Sequence, residues 1–461
     1  MRLNSFSAGS DIAVGIAKTE DAPSAFGARS NESLTYLVQS TGDFNGIDGA
    51  SVNYGDAFAA GDVLGVALDL SDFELTFFRN GVSQGIATEG VAGFAASTGD
   101  IWRPYQLGDS ANNQYNLTWN FGQNPSFSGV TTFGTETDDN GRGLFKFPPP
   151  AGYLAMCEDN LPTPAIKNPG DYFKTVLYIG DSNDGRSITG IGFTPDLVWI
   201  KHRNNAGGHG LYDSVRGPGL RIDIQSTSAE STARGVLGFE SDGFSLGSTF
   251  NTSDITAVAW CWQAGAGTTS TNTDGALPSV VSVNQDAGFS IVQYTGDGSS
   301  TTIGHGLGKR PDFRIYITTT AAANRYVWHK SFTDDEFAIL NQAVASTTGS
   351  NLWNNTLPTD TTISLSPSSQ DQIEYVWTEI EGFSKFGSYT GNGNADGPFA
   401  YCGFKPAFVM VKRTSDTGSW YMFDSSREST NPVEKYLLAN NTNIEADDLD
   451  YDFLSHGFKV R

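Results

Sequence analysis

Three stretches of this chain are versions of one phrase. Gly192–Arg203 reads GFTPDLVWIKHR, Gly308 opens GKRPDFRIYITT, and Gly403 opens GFKPAFVMVKRT. Such a repeat constrains the fold more than any local propensity does, because each copy must be the same supersecondary unit. The spacing around the phrase is fixed as well. Tyr178, Tyr294 and Tyr389 each stand 17 residues before its proline (Pro195, Pro311, Pro406), and Tyr212, Trp328 and Phe423 each stand 17 residues after it. Further on, FESDGFSLG from Phe239 matches FLSHGFKV from Phe453, and AVAWCWQAG from Ala257 matches EYVWTEIEG from Glu374.

Three units follow, at 172–266, 288–380 and 381–461. A Ser/Thr/Gly-rich linker is expected at 267–287 between the first two, and the second runs directly into the third. The third stops at GFKVR and, by analogy with its sisters, is expected to lack its last strand. Each phrase is a glycine–proline corner followed by an apolar run rich in β-branched and aromatic residues, which reads as a buried strand. Helix is expected in one place, SFTDDEFAILNQAV, where Thr333 and Glu336 form a capping box ahead of an apolar face.

Residues 1–155 read as a separate β-domain, with a Pro-rich linker at 156–171. Within it, ELTFFR turns at Asn80-Gly81 into VSQGIA, the strongest short hairpin signal, because a type I′ turn needs positive φ at both central positions. QYNLTWNFGQNPSF reads as one alternating strand over 114–127, with Leu117, Trp119 and Phe121 on one face. The 53 Gly, 30 Phe, 17 Tyr and 9 Trp fit a turn-rich, aromatic-cored all-β chain, and that aromatic content argues against disorder.

Lys plus Arg is 28 against 51 Asp plus Glu, a formal net charge of −23. Nucleic acid repels such a surface, so no nucleic-acid partner is expected. The longest apolar runs fall far short of a membrane span, so no membrane insertion is expected. Cys157, Cys261 and Cys402 are odd in number and far apart, which disfavours a disulfide framework or zinc site.

GDVLGVALDL, ELTFFRNGVSQG, NLTWNFGQNPSF and PPPAGY occur in the order of a SPRY domain, and DIAVGIA is similar to an early strand of that family. This resemblance covers about Ser7–Tyr153 and implies a bent β-sandwich that binds partners through loops; with only ten residues ahead of Asp11, the domain is expected to begin clipped. The repeats, on GIGFTPDLVWIKHR, LYDSVRG, VAWCWQAG, EGFSKFGSYTGNGNADGPFAYCGFKPAFVMVKR and FDSSRESTNPVEKYLLAN, resemble β-domains of tail-fibre-like virion proteins of bacteriophages. The two resemblances together imply a SPRY-like sandwich followed by three related β-sandwich-like repeat domains strung like beads. They imply a non-enzymatic virion protein, made in the host cytoplasm, without a cofactor. Its implied partners are other virion proteins and a host-surface glycan or receptor, with a homo-oligomer as a further possibility. The alternatives are a structural virion component without ligand binding, such as a head decoration or connector, and a capsule-degrading glycanase.

Candidate chemistry is sparse. Asp213, Ser214 and Arg216 recur as Asp424, Ser425 and Arg427. A glycosidase needs two carboxyls about 5–10 Å apart, and Asp213 has no evident second, so a turn closed by Asp and Arg is the plainer reading. Asp181, Asn183 and Asp184 supply oxygens for a weak Ca2+ candidate, although a hairpin loop using Asp and Asn explains them equally. His202, His209, His305, His329 and His456 form no metal or catalytic spacing. Trp328, Trp353 and Trp420 stand beside Asn, Gly and Ser, the mixture that sugar sites use, although Trp328 falls at the repeating aromatic slot and reads more plainly as core. Trp353, flanked by Asn354 and Asn355, is the one most expected to be exposed.

Overall fold

The computed structural model describes residues 1–6, 12–18, 33–38, 43–45, 51–69, 74–87, 102–108, 115–132, 134–157, 160, 164–349 and 351–461. The chain is all-β: among the described residues there is no α-helix, only short 3-10 turns such as Pro169–Asp171 and Ser248–Phe250. It divides into two units, Met1–Pro162 and Thr163–Arg461.

In the first unit, β1 (Arg2–Phe6) will pair near the end of the unit, and β2 (Ile12–Lys18), β3 (Ser33–Val38), β4 (Asp43–Asn45) and β5 (Ser51–Asn53) follow. Then come β6 (Leu64–Asp69), β7 (Glu74–Arg79), β8 (Val82–Ile86), β9 (Trp102–Gly108) and β10 (Tyr115–Thr118). They form the sheets β5-β4-β3-β2-β9, β6-β7-β8 and β1-β10. Ile12, Val14 and Ile16 meet Leu64, Leu75 and Phe77 in one core. The β7–β8 hairpin turns at Asn80 (φ 50°) and Gly81 (φ 82°), as the Asn-Gly pair requires. The strand expected over 114–127 ends at Thr118 instead. Asn120 stops it: its carboxamide oxygen takes the backbone N–H of Gly122 and Asn124 at 3.0 and 2.8 Å, folding the chain away from the ladder.

In the second unit, copy 1 comprises β11 (Phe173–Ile179), β12 (Arg186–Ile188), β13 (Leu197–His202), β14 (Gly210–Asp213), β15 (Leu220–Arg221), β16 (Ser231–Thr232), β17 (Val236–Glu240), β18 (Gly243–Leu246) and β19 (Thr256–Trp262). The sheet β11-β19-β13-β14 faces β12-β18-β17 across a core of Val198, Ile200, Tyr212, Phe244 and Ala259. Copy 2 opens with β20 (Ser270–Asn272), β21 (Ser279–Asn284), β22 (Phe289–Thr295), β23 (Thr301–Gly304) and β24 (Phe313–Thr318). It closes with β25 (Tyr326–His329), β26 (Ala338–Ile339), β27 (Thr362–Leu365) and β28 (Asp371–Trp377). Its large sheet runs β20-β21-β22-β28-β24-β25-β26, against β23-β27. Residues 267–287, expected as a linker, thus supply two strands of that sheet. Copy 3 has β29 (Phe399–Tyr401), β30 (Phe408–Lys412), β31 (Trp420–Asp424), β32 (Tyr436–Leu438), β33 (Tyr451–Leu454) and β34 (Gly457–Val460), as β30-β31-β32 against β29-β34-β33.

The glycine that opens each phrase has φ of 90°, 70° and 84° at Gly192, Gly308 and Gly403. Only glycine adopts this left-handed turn without strain, which is why the phrase begins with it in every copy. In copies 1 and 2 the strand that follows is buried on both faces. Val198 and Ile200 point into copy 1's own sandwich, while Leu197 and Trp199 point into a second core. That second core is common property: Trp199, Val258 and Trp260 of copy 1 meet Ile315, Ile373 and Tyr375 of copy 2, and Trp420, Met422 and Leu437 of copy 3. The expectation of separate beads is therefore corrected. Both faces of these strands are apolar because one is needed at home and the other at the centre.

The expected helix at Ser331–Val344 does not form. Glu336 does accept the Thr333 N–H, at 3.4 Å, yet Phe337 to Leu340 are all buried and Ala338–Ile339 pairs with β25. Four consecutive buried residues have no solvent face for a helix to present, and tertiary pairing overrides the local signal.

Candidate functional site

The shared core carries a repeated polar staple. Asp213 ends β14 and is fully buried; its carboxylate accepts the backbone N–H of Val215 and Arg216 at 3.1 and 2.9 Å and the Arg216 Nε–H at 2.6 Å. Asp424 repeats this at the end of β31, with Ser426 and Arg427 N–H at 3.1 and 2.8 Å and Arg427 Nε–H at 2.6 Å. Each arginine also reaches back to its own strand, at Leu211 O and Met422 O, and holds a second carboxylate, Glu230 and Glu445. The turn expected at DSVR and DSSR is the one that forms.

Each staple also receives a donor from a neighbouring copy. Tyr375 Oη–H of copy 2 donates to Asp213 at 2.7 Å, and Trp260 Nε1–H of copy 1 donates to Asp424 at 3.1 Å. The two donors are equivalent residues, since Trp262 pairs with Leu197 and Trp377 pairs with Phe313 in the corresponding ladders. Burial opposes the Arg216 charge, but Asp213, Tyr375 and Glu230 around it together more than offset this and keep the guanidinium ionised. Burial, and then Asp213, push the Tyr375 hydroxyl far above its ordinary range, so it remains a donor.

Copies 1 and 3 are joined again at Glu445. Arg203 grips it bidentately at 2.9 and 2.8 Å, and Arg427 Nη1 touches it at 3.1 Å. Burial opposes the Glu445 charge, and the two guanidiniums win, so its carboxyl titrates below the usual range. His209 links the same copies from a fully buried position: its Nδ1 accepts Trp199 Nε1–H at 2.8 Å, and its Nε2 lies 2.9 Å from Leu438 O.

A second recurring device is the aspartate after the corner proline. Asp196 accepts the N–H groups of Ala264, Ala266 and Gly267 at 2.7–2.8 Å, and Asp312 accepts Glu379 N–H at 2.7 Å. Both clamp the chain as it leaves the last strand of its copy. The third copy has Ala407 here. Sequence reasoning passed over these clamps, His209 and the Trp260/Tyr375 donors. The signal available was Pro-Asp in two copies against Pro-Ala in the third.

The tryptophans proposed as sugar contacts are core residues. Trp328, Trp353 and Trp420 are 1, 1 and 4% exposed. Their indole N–H groups donate to Thr333 O, Glu336 O and Ile339 O at 3.2, 2.9 and 3.0 Å. The expectation that Trp353 is exposed is corrected: it packs on Tyr316, with the Arg314 guanidinium 4.3 Å from its ring centre. Asn354 (φ 51°) and Asn355 (φ 47°) form a left-handed turn beyond it, which explains the Asn pair without a ligand.

The weak Ca2+ candidate is internally partnered. Asp181 accepts Asn183 N–H and Asn251 Nδ2–H at 2.9 and 2.8 Å, and Asp184 pairs with Arg234. Among the described residues no group of three His, Cys, Asp or Glu is placed to hold a metal ion, and no helix is long and apolar enough to cross a membrane.

No curated protein matches this chain. A family described as a domain of unknown function (DUF7483) matches residues 168–461, nearly the span of the second unit, so the family's domain corresponds to the whole three-copy body rather than to one copy. With more than half of its length in that match, the chain belongs to the DUF7483 family.

Proposed function

We propose that this is a non-enzymatic virion protein of the tail-fibre-like kind, which presents a rigid three-copy β-body for attachment. The observation that carries this reading is the staple system. The buried pairs Asp213–Arg216 and Asp424–Arg427 close turns on which a donor from a neighbouring copy converges, Tyr375 on Asp213 and Trp260 on Asp424, so they serve to lock copies together. Asp213, the candidate glycanase carboxyl, has no free face for a substrate, which speaks against the enzymatic alternative. A stiff body with many outward loops suits display, and a net charge of −23 favours solubility at an exposed surface. The virion assignment rests on the resemblance of the repeats, and the SPRY-like reading of residues 1–155 stands with it.

Burial of Trp328, Trp353 and Trp420 favours the second reading, a structural virion component without ligand binding. Mass spectrometry of purified particles, followed by whole-cell and glycan-array binding of the purified protein, decides between them. Presence in the particle with saturable cell binding supports attachment. Presence without binding supports the structural part. Absence from particles refutes both.

A further inference from the structure

Copy 1 leaves its last strand through a turn that copy 2 repeats. In each, the second residue after the strand's final tryptophan gives its N–H to the corner aspartate: Ala264 to Asp196 and Glu379 to Asp312, both at 2.7 Å. Three residues on, a glycine takes positive φ, 81° at Gly267 and 76° at Gly382. The next N–H closes the turn, Thr268 on Gly265 O at 3.0 Å and Phe383 on Ile380 O at 2.9 Å. The backbones agree, but the side chains do not. Copy 2 carries Ile380, 5% exposed, and Phe383, whose ring packs on Tyr172 at 6.1 Å; copy 1 has Gly265 and Thr268 in their places.

Beside copy 1's slimmer turn lies a cleft of about 550 Å³, within the range of small-ligand sites. Gln263 and Thr268 border it on one side; Val283, Asn284, Gln285 and Asp286, at the end of β21 and in the turn after it, border it on the other. Its walls are held from behind. The N–H groups of Ala264, Gly265, Ala266 and Gly267 all point to Asp196 or Ser282 Oγ, at 2.7–2.9 Å. Asn284 Nδ2–H donates to Gln263 Oε1 at 3.2 Å, Asn284 Oδ1 accepts Ala287 N–H at 2.9 Å, and Gln285 Nε2–H donates to Gly306 O at 2.8 Å. These bonds use one end of the Gln263 and Gln285 amides. The other ends, Gln263 Nε2 as donor and Gln285 Oε1 as acceptor, have no partner among the described residues. The Asp286 side chain is exposed, and among the described residues its carboxylate has no hydrogen bond or ion pair.

We propose that this cleft is a saccharide subsite, taking a mono- or disaccharide unit of a neutral glycan. A sugar presents hydroxyls that both donate and accept, with C–H faces between them. The Asp286 carboxylate can accept from neighbouring hydroxyls, Gln285 Oε1 from another, and Gln263 Nε2–H can donate to a sugar oxygen, while the Val283 methyls offer an apolar rest for the ring. The lining residues include no Lys, Arg or His, so an anionic ligand has nothing to pair with. A single carboxylate beside an amide donor suits a hydroxyl better than an ammonium, which is donor-only and has no use for the amide N–H. Walls fixed in advance cut the ordering cost of binding. The inference names the ligand class behind attachment and rests on that reading for its role.

The test uses the full chain and saturation-transfer NMR with lactose, maltose and diacetylchitobiose, with sialyllactose and spermidine as charged controls. Expected are saturable binding of at least one neutral disaccharide, a weaker response to both charged probes, and slowed amide hydrogen exchange over residues 284–287. Asp286→Ala removes a carboxylate that holds nothing in the fold and should weaken binding about tenfold, the effect of losing a hydrogen bond to a charged group. Thr268→Phe places in copy 1 the residue that copy 2 carries in the same turn and should abolish binding. Guanidinium unfolding midpoints should be unchanged in both variants. Binding of none of the neutral sugars, full binding by either variant, or preference for spermidine or sialyllactose would overturn the proposal. Whole-cell attachment that survives both substitutions would overturn it too, while leaving attachment itself standing. Sugar binding that both variants lose, in a protein that attaches to no cell, would uphold the site and sink attachment.

Discussion

Replacing His209 by glutamine tests whether copies 1 and 3 are joined by a neutral imidazole. Trp199 donates to Nδ1, so the ring proton sits on Nε2 and is given to Leu438 O. A second proton would have to go to Nδ1, where it would displace Trp199. Burial first, and the Lys201 charge next, hold the His209 pKa down at about 3, against an ordinary 6.5. Between those values the unfolded chain binds a proton that the folded chain refuses. Stability is therefore full above pH 6.5 and falls as the pH is lowered. At pH 5 the 1.5-unit distance from the unfolded pKa amounts to about 2 kcal/mol. His305, fully buried and held at about 4, adds a similar loss, but it is common to both proteins and cancels in the comparison. Glutamine keeps an N–H for Leu438 and carries no titratable proton. In guanidinium titrations of the second unit's tryptophan fluorescence, the wild type should exceed His209→Gln at pH 7.5, and that margin should shrink by about 2 kcal/mol at pH 5. A margin unchanged between the two pH values would refute the neutral-imidazole account.

Tyr375→Phe and Trp260→Phe should each lower stability by about 1.5–3 kcal/mol, the range for a hydrogen bond to a buried charge, as read from denaturant midpoints; near-zero effects would mean the staples need no cross-copy donor. Trp353→Ala should cost about 3–5 kcal/mol by emptying the space beside Arg314, and any cell binding should survive at temperatures where the variant stays folded. The Cys261 thiol is fully buried and pushed well above its ordinary pKa by that burial, so native-state alkylation should modify Cys157 before Cys261, with Cys261 reacting only on unfolding. Asp138→Ala should loosen the end of the first unit, because Asp138 takes backbone N–H bonds from Arg142 and Ala155, both at 2.8 Å; limited proteolysis near residue 155 should accelerate.

The repeat, the all-β class and the Asn80-Gly81 hairpin were legible because each rests on local signals: spacing, β-propensity, a turn dipeptide. The fusion of the copies was not legible. An apolar strand such as LVWI reads the same whether its second face meets a partner sheet or a central core, and periodicity alone cannot separate them. The helix at 331–344 was misread because a capping box constrains only a few backbone groups, whereas pairing with β25 and burial of Phe337–Leu340 involve many more. Trp353 was misread for the same reason: its polar sequence neighbours lie in a left-handed turn that faces away, while the ring is claimed by Arg314 and Tyr316 from a distant strand. Asp213 and Asp424 were correctly read as turn residues, but their cross-copy donors lie 162 and 164 positions away, beyond the reach of any motif.

The shared centre also bears on how these repeats can have diverged. Duplicated domains that hang separately on a chain accumulate changes independently, and any one can be lost, moved or replaced. Here Trp260 of one copy answers to Asp424 of another, and Tyr375 answers to Asp213. A substitution in one duplicate is thus tested against the surface of its sister, and the three must drift as a set. A single copy cut from its neighbours would present Leu197, Trp199, Val258 and Trp260 to water, so the heritable unit is the trio.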